Sequence, residues 1–336
     1  MPDPGRRHTV AARASIRRFA GGFIFLSLFL SFAVDAQQYP RRPVRVIVPF
    51  GTGAPDTVAR LIGPQLSNRL GQPFVVENRP GANGIIGTEA VAKSPADGHT
   101  LLVVSTSIVI NPSIYRKLPY DVLKDVTPIT SICSTKAYIL GVNPAVPAHD
   151  VQELIALARR PDSRISFGSP GIGNTLHLVG ELFNARAGIQ TVHVPYKGAG
   201  PAITALLANE VQMMFLTPPL SLAHIKAGKI RAIGYTHRER ASLLPEVPTM
   251  SEAGVQGMEI DGGWYALFGP GNLPTEVIAK LHTEVLRALA DPTVRERLGA
   301  LGLDPVGNAP AEFKAQVESQ IKAYAEMVRL AGIQPE

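Results

Sequence analysis

The chemistry this sequence offers most plainly lies in backbone amides at glycine loops rather than in reactive side chains. Phe50-Gly51-Thr52-Gly53-Ala54-Pro55-Asp56 follows a β-branched run, Val44 to Val48. It leads into Val58, Leu61, Ile62, Leu66 and Leu70, which recur at helical spacing. Glycine lets the backbone come close to a ligand, and the first amides of a helix lack intrahelical acceptors. Such a loop can therefore donate several hydrogen bonds to a carboxylate. Taken alone, the stretch reads more readily as a tight strand-to-helix turn with Asp56 as N-cap, because it matches no fixed phosphate motif.

A second loop, Phe167-Gly-Ser-Pro-Gly-Ile-Gly-Asn-Thr-Leu-His177, again ends in a helix, and Ser169, Asn174 and Thr175 add hydroxyl and amide groups. Two such loops could close on opposite sides of one anion. A third, Val194 to Pro201, carries Tyr196, which could donate its phenol, and Lys197, which reads as an exposed lysine on a structural turn.

Other chemistries fit less well. Gly171-Ile172-Gly173 has its third dinucleotide-loop glycine misplaced. Gly168-Ser169-Pro170-Gly171 has Phe167 where a nucleophile elbow wants glycine. His177 and Glu181 stand one helical turn apart, half of a metal site, but no familiar spacing supplies the rest, so no metal is expected. No Ser/His/Asp set assembles by spacing, so no catalytic residue and no cofactor are expected. Trp264 and Tyr265 could form an aromatic wall or pack between domains. Cys133 is the single cysteine, which excludes an intramolecular disulfide and a cysteine-rich zinc site; its apolar neighbours predict a buried, inert thiol.

These loops need elements to hold them, and the chain after residue 36 alternates strand and helix in the α/β manner. The first 36 residues read as a targeting segment: Arg6, Arg7, Arg13, Arg17 and Arg18, then apolar Phe19 to Val34, then Val34-Asp35-Ala36 with cleavage expected after Ala36. Removing it takes away five Arg and two Asp, so 33 basic and 27 acidic residues become 28 and 25, and the net charge falls from +6 to +3. Nucleic-acid binding thereby loses its main support. Strands are predicted at Phe74 to Glu77, Thr100 to Ser105, Ile139 to Val142, Ile165 to Gly168, Thr191 to Val194, Val211 to Leu216 and Trp264 to Phe268. Helices are predicted at Ile85 to Lys93, Val151 to Arg159, from Thr175, and at Pro201 to Ala208, with three amphipathic helices closing the chain. Ser105-Thr106-Ser107 lies at a strand's carboxyl end, where ligands collect in parallel sheets.

Ordered matches then carry a family resemblance: Tyr39-Pro40, Pro43 to Phe50, Asp56-Thr57-Val58-Ala59-Arg60, Val75 to Ala82, Ala96 to Leu102, His177 to Phe183, Val194 to Gly198, His224 to Lys229 and Pro245 to Thr249. The chain resembles the Bug (TctC-like) family of extracytoplasmic solute receptors, from Tyr39 almost to the C-terminus. The resemblance implies a type II periplasmic-binding-protein fold, two α/β domains with a ligand cleft between them, here residues 37–139 plus 262–336 and residues 140–261. It implies a periplasmic, monomeric protein that captures a small organic carboxylate by domain closure: a di- or tricarboxylate, an acidic amino acid or an aromatic acid. The partners implied are the membrane components of a tripartite tricarboxylate transporter or a sensor kinase. An exported hydrolase is the remaining alternative. By the same resemblance, ligand-binding positions fall at Phe50, Thr52, Gly53, Ala54 and Asp56, at Ser105, Thr106 and Ser107, at Ser169, Gly171, Gly173 and Thr175, and at Tyr196 and Thr217. Two departures stand out. The Phe50 to Asp56 loop is one residue shorter than the usual family form and lacks its double glycine, and His99 stands where Tyr is common.

Overall fold

Two mixed sheets carry the chain in a computed structural model that describes residues 39–335. The targeting segment and its cleavage point lie outside the described residues. In chain order the strands are β1 (Val44–Val48), β2 (Phe74–Asn78), β3 (Thr100–Ser105), β4 (Val126–Ser134), β5 (Ile139–Val142), β6 (Ser166–Ser169), β7 (Val192–Pro195), β8 (Met213–Leu216), β9 (Arg231–Tyr235), β10 (Trp264–Pro270) and β11 (Asp304–Pro305). The helices are α1 (Ala54–Leu70), α2 (Ile85–Ala92), α3 (Ser107–Ile114), α4 (Val151–Ala158), α5 (Thr175–Ala187), α6 (Ala199–Leu207), α7 (Pro218–Lys226), α8 (Thr275–Leu289), α9 (Pro292–Ala300) and α10 (Pro310–Leu330).

The first sheet has the order β11-β4-β10-β3-β1-β2 and the second β7-β6-β8-β5-β9. β1 lies parallel to β2 and β3, with Val46 opposite Val76 and Leu101. β6 is parallel to β7 and β8, whereas β5 runs antiparallel to β8 and β9. Parallel β1 and β3 aim their carboxyl ends, and the loops after them, toward one edge of the first sheet. β6 and β8 do the same in the second. This places Phe50, Ser105, Ser169 and Thr217 where ligands gather.

The chain passes between the sheets twice, from Ser134 to Ile139 and from Tyr235 to Trp264. The two crossings bond each other: the Thr135 amide donates to the Gly263 carbonyl at 2.9 Å and the Gly262 amide to the Lys136 carbonyl at 2.8 Å. Gly262 is there for space, since a Cβ at that position would run into the Thr135 carbonyl. Each sheet has its own apolar core, one around Phe167, Phe183 and Phe215, the other around Ile110, Phe268 and Phe313. Leu178 of α5 is buried in the first sheet's core, and Met327 and Ala331 at the end of the chain touch both. Cys133 is fully buried, and burial, with Asp304 nearby, pushes its thiol far above the usual range.

Besides the two-residue β11, too short to leave a pattern, four elements escape the sequence pattern for identifiable reasons. β4 is covered on both faces over Ile129 to Cys133 and contains Pro128, so it shows no alternation. α3 is buried on most sides and contains Pro112, so no single apolar stripe marks it. α7 opens on Pro218-Pro219, a residue pair that reads as loop unless its place in the first helical turn is known. β9 is a short run following a turn at Gly228. One expectation is corrected. Asp56 is not the N-cap of α1, because the helix already begins at Ala54 with Gly53 as cap and Pro55 in its first turn. Proline is favoured there since its missing N–H would have no helical partner anyway.

Candidate functional site

Five helices begin at one small cavity between the two sheets. Gly53, Ala54 and Pro55 at the start of α1, Thr106 before α3, Asn174 and Thr175 at α5, Gly198 and Ala199 at α6, and Thr217 before α7 all line it. Each start exposes first-turn amides that lack intrahelical acceptors. Asn174 caps its helix conventionally, its side-chain oxygen accepting from the Leu176 amide at 3.0 Å. The α1, α6 and α7 starts have no side-chain cap at all, so their amides are left for something else. At α6 the cap is Gly198 with φ 112°, a conformation glycine adopts freely.

No charged side chain lines the cavity among the described residues. The positive ends of the helix dipoles therefore set its potential without an opposing carboxylate or a formal cation. Phe50, Leu176, Leu220, Trp264 and Tyr265 add large apolar and aromatic side chains to the wall. The cavity volume is about 80 Å³, room for a handful of waters or one small molecule.

The structure brings together Phe50, Thr52, Gly53, Ala54, Ser105, Thr106, Thr175 and Thr217 on this wall. The other sequence-derived positions stand behind or beside it. Asp56 points away: its carboxylate takes Arg60 Nε at 3.0 Å and Asn78 Nδ2 at 2.9 Å. Ser107 is fully buried, with its Oγ 3.3 Å from Ser105 Oγ and 3.4 Å from Thr175 Oγ1. Ser169 is fully buried and bonded to His193 Nε2 at 2.7 Å, while its Oγ also accepts from the Gly171 amide at 3.2 Å. Gly173, with φ 74°, donates its amide to His177 Nδ1 at 3.3 Å. Gly171 and Tyr196 line an adjoining, wider cleft that shares Phe50, Gly51, Pro170 and Gly198 with the cavity.

Trp264 and Tyr265 form part of the aromatic wall, and only Tyr265, bonded to Thr217, also bridges the two domains. They line the cavity, and the Trp264 indole packs edge-on against Phe313 while its Nε1 donates to Gln320 at 2.7 Å. Sequence reasoning missed Tyr138, Leu220 and Gly263 as wall residues. Tyr138 and Gly263 lie on the two crossings, which only the paired sheets make visible. For Leu220 the signal was the uncapped Thr217-Pro218-Pro219 start.

His177 and Glu181 acquire a third neighbour that is distant in sequence, His193, and ligand atoms of all three lie within 4.8 Å of one another. The rings of His177 and His193 stack at 4.0 Å and 25°, with Phe167 stacked on His193 at 4.8 Å. The Gly173 amide pointing at His177 Nδ1 leaves the ring proton on Nε2, the atom facing Glu181 at 3.7 Å. That tautomer keeps His177 Nε2 from acting as a metal ligand. Burial pushes His177 down to about 4 and, with His177 beside it, pushes His193 down to about 3. Burial pushes the Glu181 carboxyl the other way, up. This neutral stack supports the loop Ser169 to Asn174 from behind.

The two sheets' domains meet on both sides of the cavity. Tyr115 donates its hydroxyl to the Ile172 carbonyl at 3.1 Å, and Asn174 Nδ2 donates to Asn83 Oδ1 at 3.5 Å. On the opposite side a Cβ at Gly53 would touch that of Ala199 at 3.6 Å.

Residues 58–333 match the family model described as tripartite tricarboxylate transporter family receptor. The chain is 35% identical over 314 residues to Protein BugT of Bordetella pertussis, covering 93% of this chain and 96% of that one. It superposes on R. palustris Rpa4515 with adipate with TM-score 0.84 at 34% identity, over 89% of this chain and 100% of that one. It also superposes on the periplasmic binding protein BugD with TM-score 0.84 at 32% identity, over 89% and 100%. Two α/β domains joined by two crossings, with a cleft between them, form the type II periplasmic-binding-protein fold.

Proposed function

The chain belongs to the tripartite tricarboxylate transporter receptor family, and from that premise we propose that it captures a small organic carboxylate in the periplasm and presents it to membrane partners. The observation that carries this reading is the meeting of five helix N-termini on a cavity with no charged side chain among its described lining residues. Amide donors fixed by helices hold an anion without burying a full opposing charge, whose desolvation would be costly. The relative with adipate supports a carboxylate as the anion.

Binding proceeds by closure of two domains, residues 37–139 plus 262–336 against residues 140–261, about the crossings at Thr135 to Tyr138 and Thr236 to Gly263. The loops at Thr52 to Ala54 and at Gly198 to Gly200 come from different domains, so a ligand touching both favours the closed state. Export by cleavage after Ala36 delivers the protein to its compartment. The family is one of receptors rather than enzymes.

The test is thermal-shift screening of the mature protein against organic acids, with native mass spectrometry of the protein as purified. A rise in melting temperature with carboxylates, and none with sugars, supports the reading. Stabilisation by a sugar or metal and by no carboxylate rejects it. Deleting the gene separates roles: loss of uptake of the stabilising acid is the expected result, whereas loss of gene induction alone would make the protein a sensor.

A further inference from the structure

Beside the cavity, one backbone segment takes a conformation that its residues seldom adopt. Ala82 and Asn83, in the short 3₁₀ turn Ala82–Gly84, have φ of 45° and 48°, a left-handed region that glycine enters freely and other residues enter at a cost. Such strain persists where the surroundings fix it, and the Asn83 side chain shows what fixes it here. Its amide is used at both ends, one for each domain. Nδ2 donates to Asn111 Oδ1 at 2.8 Å within the first domain, and Oδ1 accepts from Asn174 Nδ2 of the second domain at 3.5 Å. Asn174 in turn caps α5 through its own Oδ1, which accepts from the Leu176 amide at 3.0 Å, and its Nδ2 also reaches Ser107 Oγ at 3.5 Å. Asn111 is buried in α3, so the row Asn111, Asn83, Asn174 runs from the core of one domain to a helix start on the cavity wall of the other. The domains approach closely at this point: a Cβ at Gly173 would lie 3.1 Å from Ile114 Cγ2 and 3.3 Å from Asn83 Nδ2. Asn83 itself lines the adjoining cleft rather than the cavity.

We propose that Asn83 is a positioning residue for acid binding: without touching the ligand, it holds the α5 start, with Asn174 and Thr175, in register with the first domain's side of the cavity. Ser105 and Thr106 lie on that side and Thr175 on the other, so an acid that touches both gains fully only when the two are held at the right separation. Freedom removed before the ligand arrives lowers the cost of binding. The tie is neutral, so it adds nothing to the field that holds the anion, and its effect is confined to geometry. The left-handed turn belongs to the same role, since it aims the side chain across the domain boundary. The inference rests on the carboxylate reading of the cavity and adds the group that sets the distance between its two walls.

Two substitutions test it from opposite sides. Asn83→Gly separates the side chain from the turn, because glycine keeps the left-handed backbone at no steric cost. Asn174→Ser breaks the same tie from the other domain and leaves a residue that can still cap α5. Titration calorimetry of the mature full chain with succinate, malate, adipate and citrate identifies the tightest acid, which is then titrated into each variant and into the double variant. Asn83→Gly is expected to weaken binding about three- to tenfold, the range of one hydrogen bond. The acid should also leave faster in stopped-flow mixing followed by the fluorescence of Trp264, the single tryptophan and a residue of the cavity wall. The double variant is expected to bind within about twofold of Asn174→Ser alone, the non-additivity of two residues that share one bond. Full affinity in Asn83→Gly, even with a lowered melting temperature, or losses that multiply in the double variant, overturns the role while leaving the carboxylate site standing. Binding of none of the four acids by the wild type overturns the carboxylate reading and this inference with it.

Discussion

At the residue scale, the site works by what it omits. Asp56, the one acid close to the first loop in sequence, is held by Arg60 and Asn78 and leaves the cavity to neutral donors. The charge-changing residues sit one layer back, and there pH has its leverage. His177 and His193 have an ordinary value of 6.5 and are pushed down to about 4 and about 3 in the fold. Folding therefore favours their neutral forms. The unfolded chain binds more protons below pH 6.5, so the stability they allow is complete above 6.5 and falls as the pH drops toward 4. Glu181 is raised and contributes in the opposite sense: its share is present below its ordinary 4.5 and is lost as the pH rises through its shifted value. Urea unfolding midpoints should decline from pH 7 to pH 4, and His193→Gln should flatten that decline. A wild-type profile with no slope in this range would remove the argument. Gly180 gives a packing prediction: a Cβ there would strike the ring of Phe167, so Gly180→Ala should destabilise by about 1–3 kcal/mol in denaturant unfolding.

At the element scale, helix starts are the functional unit. α5 is the only one of the five whose cap is a conventional side-chain cap, with Asn174 accepting from Leu176. Asn174→Ala should cost about 1 kcal/mol of stability. It should also weaken acid binding in calorimetry, because the Thr175 start loses its fixed position on the wall. A variant that loses stability but keeps full affinity would show that the cap is structural only. Element legibility divided by environment. Val44 to Val48 was readable as a short β-branched run, and the amphipathic α8 because burial on one side leaves a period in the sequence. β4 and α3, covered on most sides, leave no period, and the same burial that makes them stable hides them.

At the scale of the whole molecule, Tyr115, bonded to the Ile172 carbonyl at 3.1 Å, ties the first domain's α3 region to the second domain's Ser169 to Asn174 loop. Tyr115→Phe should destabilise the closed form by about 0.5–1.5 kcal/mol. Acid affinity should then fall by roughly two- to tenfold, and small-angle scattering of the unliganded protein should show a larger radius than wild type. Unchanged scattering together with unchanged affinity would mean that this bond does not bias closure.

The sequence by itself determined the local chemistry: glycine loops before helices, a single inert cysteine, and the α/β alternation, all of which depend on neighbours a few residues apart. Eight of the expected ligand positions also share one wall, with Ser105 and Thr106 reaching it from the end of β3, Thr175 from the loop after β6 and Thr217 from the end of β8. Only the tertiary structure decided which groups face inward. Tyr138 and Gly263 are far apart in sequence yet adjacent on the paired crossings, His193 joins His177 only through the register of β6 and β7, and Asp56 turns away because Arg60 and Asn78 compete for it. Such choices depend on through-space geometry and on which hydrogen bond each polar group makes, and neither is encoded in the spacing of residues along the chain.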